Sequence, residues 1–275
     1  MPELPEVETI RRGLEPELVG AKITGLWTSG KPLRLARPLD AKGLRAAVVD
    51  HRIDGLRRRA KYMLMDVGSS VVLVHLGMSG RLVLTTVDEP RAPHTHVIWE
   101  LGRGRELRFV DPRRFGTILH ARRVDEDALP ELVSLGPDPL ADTWDPAALA
   151  DALTGARTPV KACLLDQSRV SGLGNIYVCE ALWQARIHPR TLGHRVRARA
   201  PELHAAIQDV LRRALDNRGT SLRDYVDSIG QRGENQLRLN VYAQEGRPCP
   251  RGDGGIVRRV VDSGRSTFYC PRCQR

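Results

Sequence analysis

The spacing of apolar residues changes along this 275-residue chain from a two-residue period to a period of 3.6 residues. Residues 21–120 hold runs such as VVLVHLGMSGRLVLTT, broken by glycine-containing turns, which predict antiparallel hairpins or a sandwich. Later segments such as NIYVCEALWQARI and PELHAAIQDVLRRALDN have helical spacing, and short strands return near the C-terminus. The pattern therefore predicts an α+β fold with two domains.

The boundaries follow from where the pattern breaks. The segment LPELVSLGPDPLADTWDP is rich in proline, aspartate and glycine, so we expect the chain to pass there from one domain to the next. The length is sufficient for two separate cores. The predicted parts are an N-terminal β-sandwich domain with flanking helices at 1–125, a linker at 126–145, a helical domain at 146–238, and a cysteine-containing β-hairpin at 239–275.

Charge narrows the class of partner. The chain has 43 Lys and Arg against 33 Asp and Glu, a net charge of +10, and seven of the arginines follow residue 244. A basic excess alone fits nucleic acid, an anionic membrane or an acidic protein, but a basic, cysteine-containing terminal module favours nucleic acid. Aromatic residues make up only 4%, which argues against a stacking platform for single strands.

The remaining bulk features bound the cellular setting. The apolar runs are too short to cross a bilayer, and the sequence shows no leader with a small-residue cleavage site. Five cysteines do not suggest a disulfide framework. We expect a cytoplasmic protein.

The first residues, MPELPEVET, raise a question. Pro5 suits the first turn of a helix, and Glu6 and Glu8 would lie favourably at the positive end of its dipole. Helix formation leaves Pro2 and Glu3 without an explanation.

A glycine-containing turn joins two predicted helices in RVSGLGNIYVCEAL. The backbone N–H groups around Gly172, Gly174 and Asn175 could bind a DNA phosphate, with Lys161 and Arg169 on either side. A plain helix hairpin with glycine in its turn would have the same sequence pattern, so the residues leave both interpretations open.

Two other turns carry side chains suited to entering a duplex. In DPRRFG, Phe115 could push between base steps while Arg113 replaces lost hydrogen bonds, and Met78 in HLGMSG is a second candidate wedge. The alternative is a half-buried Phe beside a solvated Arg pair. His94 and His96 alternate at the start of a strand, where one could contact phosphate or both could be structural.

The C-terminal cysteines form an incomplete pattern. Cys270 and Cys273 make a C-x2-C knuckle, but Gly252 stands where Cys249 would need its partner, and Asp253 follows. Tetrahedral zinc requires four ligands. Either Asp253 coordinates zinc with the three cysteines, or the fold persists without metal. Cys163 and Cys179 lie on apolar helix faces and are expected to be core thiols.

Seven segments, taken in order, resemble the Fpg/Nei family of DNA repair glycosylases across nearly the whole chain. They are PELPEVET, RRRAKYML, HLGMSGRL, DPRRFG, SGLGNIYVCEAL, GTSLRDY and GRSTFYCPRCQR. The PELPE start and the Met, Arg and Phe wedge residues favour the Fpg branch over the Nei branch. The resemblance implies a helix-two-turn-helix within the helical domain, a zinc-ribbon-like C-terminal hairpin, and a monomeric bacterial enzyme acting on damaged double-stranded DNA.

The family also implies an answer for the N-terminus. Removal of Met1 would leave Pro2 as a terminal secondary amine that attacks C1′ of a damaged nucleoside and forms an iminium ion. Glu3 would act as general acid, and Glu6 would orient the site. The expected activity is excision of formamidopyrimidines and 8-oxoguanine, followed by β,δ-elimination at the abasic site.

Further roles follow from matches to the same motifs. Lys61 matches a lysine credited with assisting β-elimination, and Arg265 matches a phosphate-gripping arginine that assists δ-elimination. The side chains expected to fill the gap left by the everted nucleotide, facing an orphan cytosine, are Met78, Arg113 and Phe115. The side chains expected to contact backbone phosphates are His94, Arg157 and Asn175.

This sequence departs from the family pattern in two places. The incomplete first knuckle affects the zinc site. In the lesion-capping segment 228–239, Glu234 and Asn235 replace the usual Tyr-Phe pair, so contacts with a flipped base must differ. The alternatives are a Nei-like preference for oxidised pyrimidines and a non-catalytic protein that binds damaged DNA.

Overall fold

The computed structural model describes residues 2–33, 38–222 and 225–275. The chain divides into two compact units, each described here by itself: unit 1 holds residues up to 133 together with 217–234, and unit 2 holds 134–216 together with 235–275. The domain boundaries predicted at 125, 145 and 238 stay a proposal.

Unit 1 is an antiparallel sandwich with flanking helices. Its helices are α1 (Leu4–Leu18), α2 (Ala41–Val48) and the short α3 (Pro130–Val133), and a 3-10 turn spans Arg123–Ala128. Its strands are β1 (Ile23–Thr28), β2 (Ile53–Arg59), β3 (Tyr62–Val67), β4 (Ser70–His75), β5 (Arg81–Thr86), β6 (Thr95–Leu101), β7 (Arg105–Val110) and β8 (Thr117–Arg122). They form two four-stranded sheets, ordered β1-β6-β7-β5 and β2-β3-β4-β8.

One apolar cluster joins both sheets of unit 1 and the inner face of α1. It includes Ile10 of α1, Met63 of β3, and Trp99 and Phe109 of β6 and β7. Alternating apolar residues on the strands create this shared core, as the two-residue period predicts. The sandwich predicted from the sequence is confirmed.

Helix α2 was not predicted within the β-rich stretch. Asp40 caps it by accepting a hydrogen bond from the Gly43 N–H at 2.9 Å. Only Leu44 and Val48, four residues apart, are buried from this helix. Two apolar positions are too few to establish a 3.6-residue period, which is why the sequence pattern missed the element.

Unit 2 is helical and ends in a β-hairpin. Its helices are α4 (Pro146–Leu153), α5 (Val160–Leu165), α6 (Asn175–Gln184), the short α7 (Gly193–Val196) and α8 (Ala200–Asp216), with 3-10 turns at Arg197–Arg199 and Asn235–Arg238. Its strands are β9 (Arg258–Asp262) and β10 (Arg265–Tyr269). The helix-two-turn-helix region and the C-terminal zinc-finger-like hairpin agree with the predicted fold class. Among the described residues, no helix has the length and apolar character needed to span a membrane.

Candidate active site and nucleic-acid interface

The first residues of the chain are buried rather than frayed. Pro2 and Glu3 are buried, and Glu3 is the N-cap residue of α1. The Glu3 N–H donates to Glu6 Oε2 at 2.8 Å, and the Thr220 N–H donates to Glu6 Oε1 at 2.8 Å. Glu6 is 1% exposed, so its carboxylate holds two buried backbone donors at once. Glu3 and Glu6 form a capping box, so helix formation accounts for the position of Glu3 better than the sequence suggested. The predicted removal of Met1 lies outside the described residues.

Lys61 lies in the turn between β2 and β3, the two strands against which α1 packs. It is buried and lies near His75, at the end of β4. Burial, together with the positive charge of Lys61, lowers the pKa of His75 to about 4. The His75 ring pairs with Tyr62 across the strands, at 4.9 Å between centroids, and Nδ1 accepts from the Gly77 N–H at 3.1 Å.

Sheet register brings the two wedge-bearing loops of unit 1 together. His75 pairs with Thr117, and Arg81 pairs with Val110, so the loops 76–80 and 111–116 cross between the same two pairs of strands. Both loops pass from one sheet to the other side by side. Two strand pairings thus fix the proximity of segments more than 30 residues apart.

These loops present the three expected wedge side chains. Met78 is 39% exposed, Arg113 is exposed and Phe115 is half-buried. The Arg113 guanidinium carbon lies 4.7 Å from the centre of the Phe115 ring. The arrangement combines an apolar tip with a cation on an aromatic face, which suits insertion into a base stack better than a freely solvated Arg pair would.

The structure separates the roles of the two histidines near β6. His94 is exposed at the residue before the strand, with a φ of 65°, and its carbonyl accepts from the Asp111 N–H at 2.9 Å. His96 is buried, and burial lowers the pKa of its ring. Only His94 is therefore accessible to a phosphate.

In unit 2, Asn175 and the hairpin strand β10 meet at Ser266. Asn175 is the first residue of α6, with Gly174 as N-cap, and its Nδ2 donates to the Ser266 carbonyl at 2.8 Å. Lys161 Nζ donates to the same carbonyl at 3.1 Å and to Thr267 Oγ1 at 2.7 Å. Arg265, one residue earlier, is exposed at the start of β10. The α5–α6 turn is thus attached to the strand that carries Arg265.

The remaining predicted contacts of unit 2 are less constrained. Arg157 is exposed in the segment between α4 and α5. The Gly172 N–H donates to Gln167 Oε1 at 2.9 Å, so this N–H of the predicted anion site already has an internal acceptor. The φ of Gly172 is 85°, which explains the glycine by backbone geometry.

The four expected metal ligands converge in unit 2. One ligand atom from each of Cys249, Asp253, Cys270 and Cys273 lies within 4.8 Å of the others. The Cys249 and Cys273 sulfurs are 3.9 Å apart, and Cys270 Sγ is 3.5 Å from Asp253 Oδ2. A tetrahedral zinc with bonds of about 2.3 Å separates its ligand atoms by about 3.8 Å, so this donor set fits the ion in type and spacing.

A buried indole supports the same cluster. Trp183 Nε1 donates to Cys249 Sγ at 3.5 Å, and the Arg251 guanidinium carbon lies 4.4 Å from the indole centre. Burial, together with the neighbouring cysteine side chains, raises the pKa of the Cys270 and Cys273 thiols, so a bound cation would be needed to hold them as thiolates near neutral pH.

The part of the altered loop that lies in unit 1 is held by hydrogen bonds and an ion pair with nearby side chains. Asp227 accepts from the Ile229 N–H at 3.1 Å and the Gln231 N–H at 2.8 Å. Glu234, in place of an aromatic residue, pairs with Arg218 at 3.0 Å and is exposed. Two residues of the GTSLRDY motif, 223 and 224, lie outside the described residues.

The sequence reasoning missed several supporting residues because each acts through distant partners. His75 lies near Lys61, Asp111 binds Ser79 beside Met78, and Trp183 binds Cys249. Each pair meets through packing within one unit, at a sequence separation that no local motif shows. Lys161 was noted only as a flanking charge. His75 and Asp111 could have been found from the motifs, because His75 is the first residue of HLGMSG and Asp111 is the first residue of DPRRFG.

Comparison with known proteins gives consistent matches. Residues 1–118 match the formamidopyrimidine-DNA glycosylase N-terminal domain, 135–226 the formamidopyrimidine-DNA glycosylase H2TH domain, and 246–275 a zinc finger found in FPG and IleRS. Formamidopyrimidine-DNA glycosylases from Cereibacter sphaeroides and Chloroflexus aurantiacus are 46% and 44% identical, covering all of this chain and 100% and 98% of their own lengths.

Solved structures agree over the full length. A Lactococcus lactis FPG mutant in complex with Fapy-dG-containing DNA superposes with a TM-score of 0.90 at 33% identity, with 100% of both chains covered. The wild-type Lactococcus lactis FPG, bound to DNA containing an oxidised pyrimidine, superposes at 0.89 and 33% identity over the same coverage. The chain therefore belongs to the formamidopyrimidine-DNA glycosylase family.

Proposed function

We propose that this protein is a bifunctional DNA glycosylase and AP lyase that removes oxidised purines from duplex DNA in base excision repair, with the amine of Pro2 as its nucleophile. The observation that carries the proposal is the burial of Pro2 and Glu3 at the start of α1, where Glu6 binds the Glu3 N–H. A chain terminus is usually frayed. Anchoring it through a buried carboxylate serves chemistry that needs a fixed terminal amine.

The chemistry divides between Pro2 and Glu3. The unprotonated Pro2 nitrogen attacks C1′, the bond from C1′ to the base breaks, and the base leaves with the bonding electrons and a proton. Glu3 donates a proton to the sugar ring oxygen as the ring opens. The secondary amine becomes an iminium ion that has no N–H to lose, so it stays cationic and draws electrons during elimination.

Strand cleavage follows from that cation. Loss of a proton from C2′ expels the 3′ phosphate, and a second elimination expels the 5′ phosphate. Lys61 lies in the turn between β2 and β3, the strands against which α1 packs, and its family role is to assist the first elimination. Arg265 at the start of β10 would bind phosphate and assist the second.

Access to C1′ requires the damaged nucleotide to leave the stack, and the resulting gap must be filled. We assign this task to Met78, Arg113 and Phe115, facing an orphan cytosine. His94, Arg157 and Asn175 would bind the DNA backbone. Exposure of His94 and Arg157 supports contact with phosphate, and neutralising several phosphates makes affinity fall steeply with salt.

We propose that Cys249, Asp253, Cys270 and Cys273 hold a structural zinc ion. When bound, zinc would replace thiol protons and fix the geometry of the finger. The hairpin of β9 and β10 includes Arg265, so a rigid finger keeps that arginine in place. We also propose that the protein is a monomer and that it associates with the DNA of a bacterial cell.

The second candidate is an Fpg-type enzyme with a preference for oxidised pyrimidines. The observation that favours this candidate is the exposed Glu234, which replaces an aromatic residue in the loop expected to cover the flipped base. Excision of thymine glycol well ahead of formamidopyrimidine and 8-oxoguanine opposite cytosine would select it. A non-catalytic damage-binding protein is the third candidate, and the set Pro2, Glu3, Lys61 and Arg265 has no purpose in a binder.

The deciding experiment is borohydride trapping on duplexes carrying formamidopyrimidine, 8-oxoguanine or an abasic site opposite cytosine. The protein's N-terminus is checked by mass spectrometry, because retained Met1 would block the amine. We expect covalent adducts that disappear in Pro2→Gly and persist in the matched control Pro5→Gly, which keeps the terminal amine. Adducts on the abasic duplex alone would reject oxidised-purine excision, and their absence on all three would reject the lyase.

A further inference from the structure

Asp111, the first residue of DPRRFG, is a fully buried carboxylate with 0% exposure. Its Oδ1 accepts from Ser79 Oγ at 2.6 Å and from the Arg113 N–H at 3.2 Å, and its Oδ2 accepts from the Gly116 N–H at 2.7 Å. Burying a carboxylate costs free energy unless such donors compensate for the lost water. Its position therefore serves a specific arrangement of those donors.

The three donors belong to the two loops that carry the wedge side chains. Ser79 follows Met78 directly in the loop 76–80, whereas the other two donors are the backbone of the loop 111–116. The hydroxyl of Ser79 also accepts from the Arg113 N–H at 3.3 Å. One carboxylate thus joins the backbone around Arg113 to the residue beside Met78.

Close packing reinforces the connection. A Cβ on Gly77 would lie 2.4 Å from the carbonyl carbon and oxygen of Phe115, and the φ of Gly77 is +60°. A Cβ on Gly116 would lie 2.4 Å from the Phe109 ring. At Gly77 the two loops touch through backbone where only glycine fits, and Gly116 fits closely against the Phe109 ring of β7. The loops therefore cannot shift independently without breaking these contacts.

The backbone of Asp111 is itself fixed from outside the two loops. Its carbonyl accepts from His96 Nε2 at 3.0 Å, and its N–H donates to the carbonyl of His94 at 2.9 Å. Because a carbonyl can only accept, His96 carries its proton on Nε2, and its Nδ1 accepts from Ser29 Oγ at 3.0 Å. The anchor thus extends to His94, one of the proposed phosphate contacts.

We propose that Asp111 is the positioning residue that holds Met78, Arg113 and Phe115 as one preformed wedge. This inference rests on the proposed function, which assigns those three side chains to the gap left by the flipped nucleotide. Holding them in advance reduces the conformational entropy lost when they enter the duplex. Asp111 itself touches neither the damaged base nor the reacting atoms.

A carboxylate is required because all three contacts need an acceptor. In Asp111→Asn the side chain keeps its shape, but one oxygen becomes an NH2 group that faces either the Gly116 N–H or the Ser79 and Arg113 donors. Either orientation places donor against donor. The loops should then lose their fixed relation while the sheets around them stay intact.

The test compares Asp111→Asn with Asp66→Asn in the full chain. Asp66 is a matched control because it is also a buried carboxylate of unit 1, bound to Arg57 at 2.6 and 2.7 Å, and lies away from both loops. Single-turnover rates are measured on duplexes that carry formamidopyrimidine opposite cytosine or a preformed abasic site. A 2-aminopurine next to the orphan cytosine reports wedge insertion by its fluorescence.

We expect Asp111→Asn to slow lesion excision about 10- to 100-fold and abasic cleavage by less than about threefold. It should also reduce the 2-aminopurine signal, as Phe115→Ala should, and the double variant should lose little more than either single variant. Asp66→Asn should change both rates by the same factor. Ser79→Ala, which removes the hydroxyl that donates to Asp111 and accepts from the Arg113 N–H, should give the same rate split at a smaller size.

Equal loss on both duplexes in Asp111→Asn and Ser79→Ala, or an unchanged 2-aminopurine signal, would overturn the inference. If Asp111→Asn does not fold, Ser79→Ala alone decides between the two results. A wild-type protein that cleaves neither duplex would reject the proposed function instead. The two failures are therefore distinguishable.

Discussion

Acidification should destabilise this protein in part through the ring of His75, and the variant His75→Asn should remove that part of the sensitivity. The His75 pKa falls to about 4 in the folded protein because packing removes much of the water from the partly buried ring and because Lys61 lies nearby. Protonation would also place a donor on Nδ1, which now accepts from the Gly77 N–H at 3.1 Å. Asparagine can present an oxygen near the same place without titrating.

The sign follows from which state binds the proton first. The unfolded ring has a pKa of about 6.5, so between about pH 6.5 and pH 4 the unfolded chain takes up a proton that the folded chain does not. The free energy of unfolding should therefore fall as pH falls through that window, and be unaffected by this group above it. The contribution lost is about 1.4 kcal/mol at pH 5.5 and about 2.5 kcal/mol at pH 4.5.

Thermal unfolding from pH 7.5 to pH 5.5 measures the effect. At about 2–4 °C per kcal/mol, the wild-type midpoint should fall about 3–6 °C further than that of His75→Asn. His51→Asn, at an exposed histidine, controls for the loss of one imidazole and should follow the wild type. Equal decreases in wild type and His75→Asn would refute a partly buried, neutral His75 ring beside Lys61.

Three further predictions concern the proposed site. Glu3→Gln should slow excision of an intact lesion far more than cleavage of a preformed abasic site in single-turnover assays, and equal losses would remove its role as general acid. Glu6→Gln should lower the free energy of unfolding by about 1.5–3 kcal/mol in urea titrations, because the carboxylate accepts from both the Glu3 and the Thr220 N–H, whereas the amide oxygen can accept from only one of them. An unchanged urea midpoint would contradict that. Asp253→Ala should lower zinc content measured by mass spectrometry while Asp253→Cys preserves it, and metal-free wild type would end the zinc proposal.

The fold could be predicted in outline because each unit repeats one hydrophobic period over many residues. The sandwich of unit 1 and the helices of unit 2 follow from alternation and from a 3.6-residue spacing. The start of α4 follows from local residues, because Asp145 directly precedes Pro146 and accepts a hydrogen bond from the Ala148 N–H at 2.8 Å. Where a single short helix such as α2 buries only two apolar side chains, the period carries too little signal.

The position of residues 217–234 could not be predicted from periodicity. This segment follows the last long helix, α8, yet it groups with unit 1. The Thr220 N–H reaches Glu6, 214 residues earlier in the sequence, and the Leu84 N–H donates to the Ser228 carbonyl at 3.2 Å. Such contacts depend on a few buried polar groups, which leave no repeating pattern in the chain.

The candidate site shows the same division between what a motif identifies and what only the fold explains. DPRRFG identified Arg113 and Phe115 because arginine and an aromatic residue suit insertion into DNA, but the flanking Asp111 had no assigned role. Its donors come from two loops whose alignment depends on four paired strands, β4 with β8 and β5 with β7. The proposed wedge would therefore depend on sheet register as much as on its three side chains. A substitution that shifted either pairing by one residue would turn its side chains to the opposite face and separate the loops, even with every motif intact.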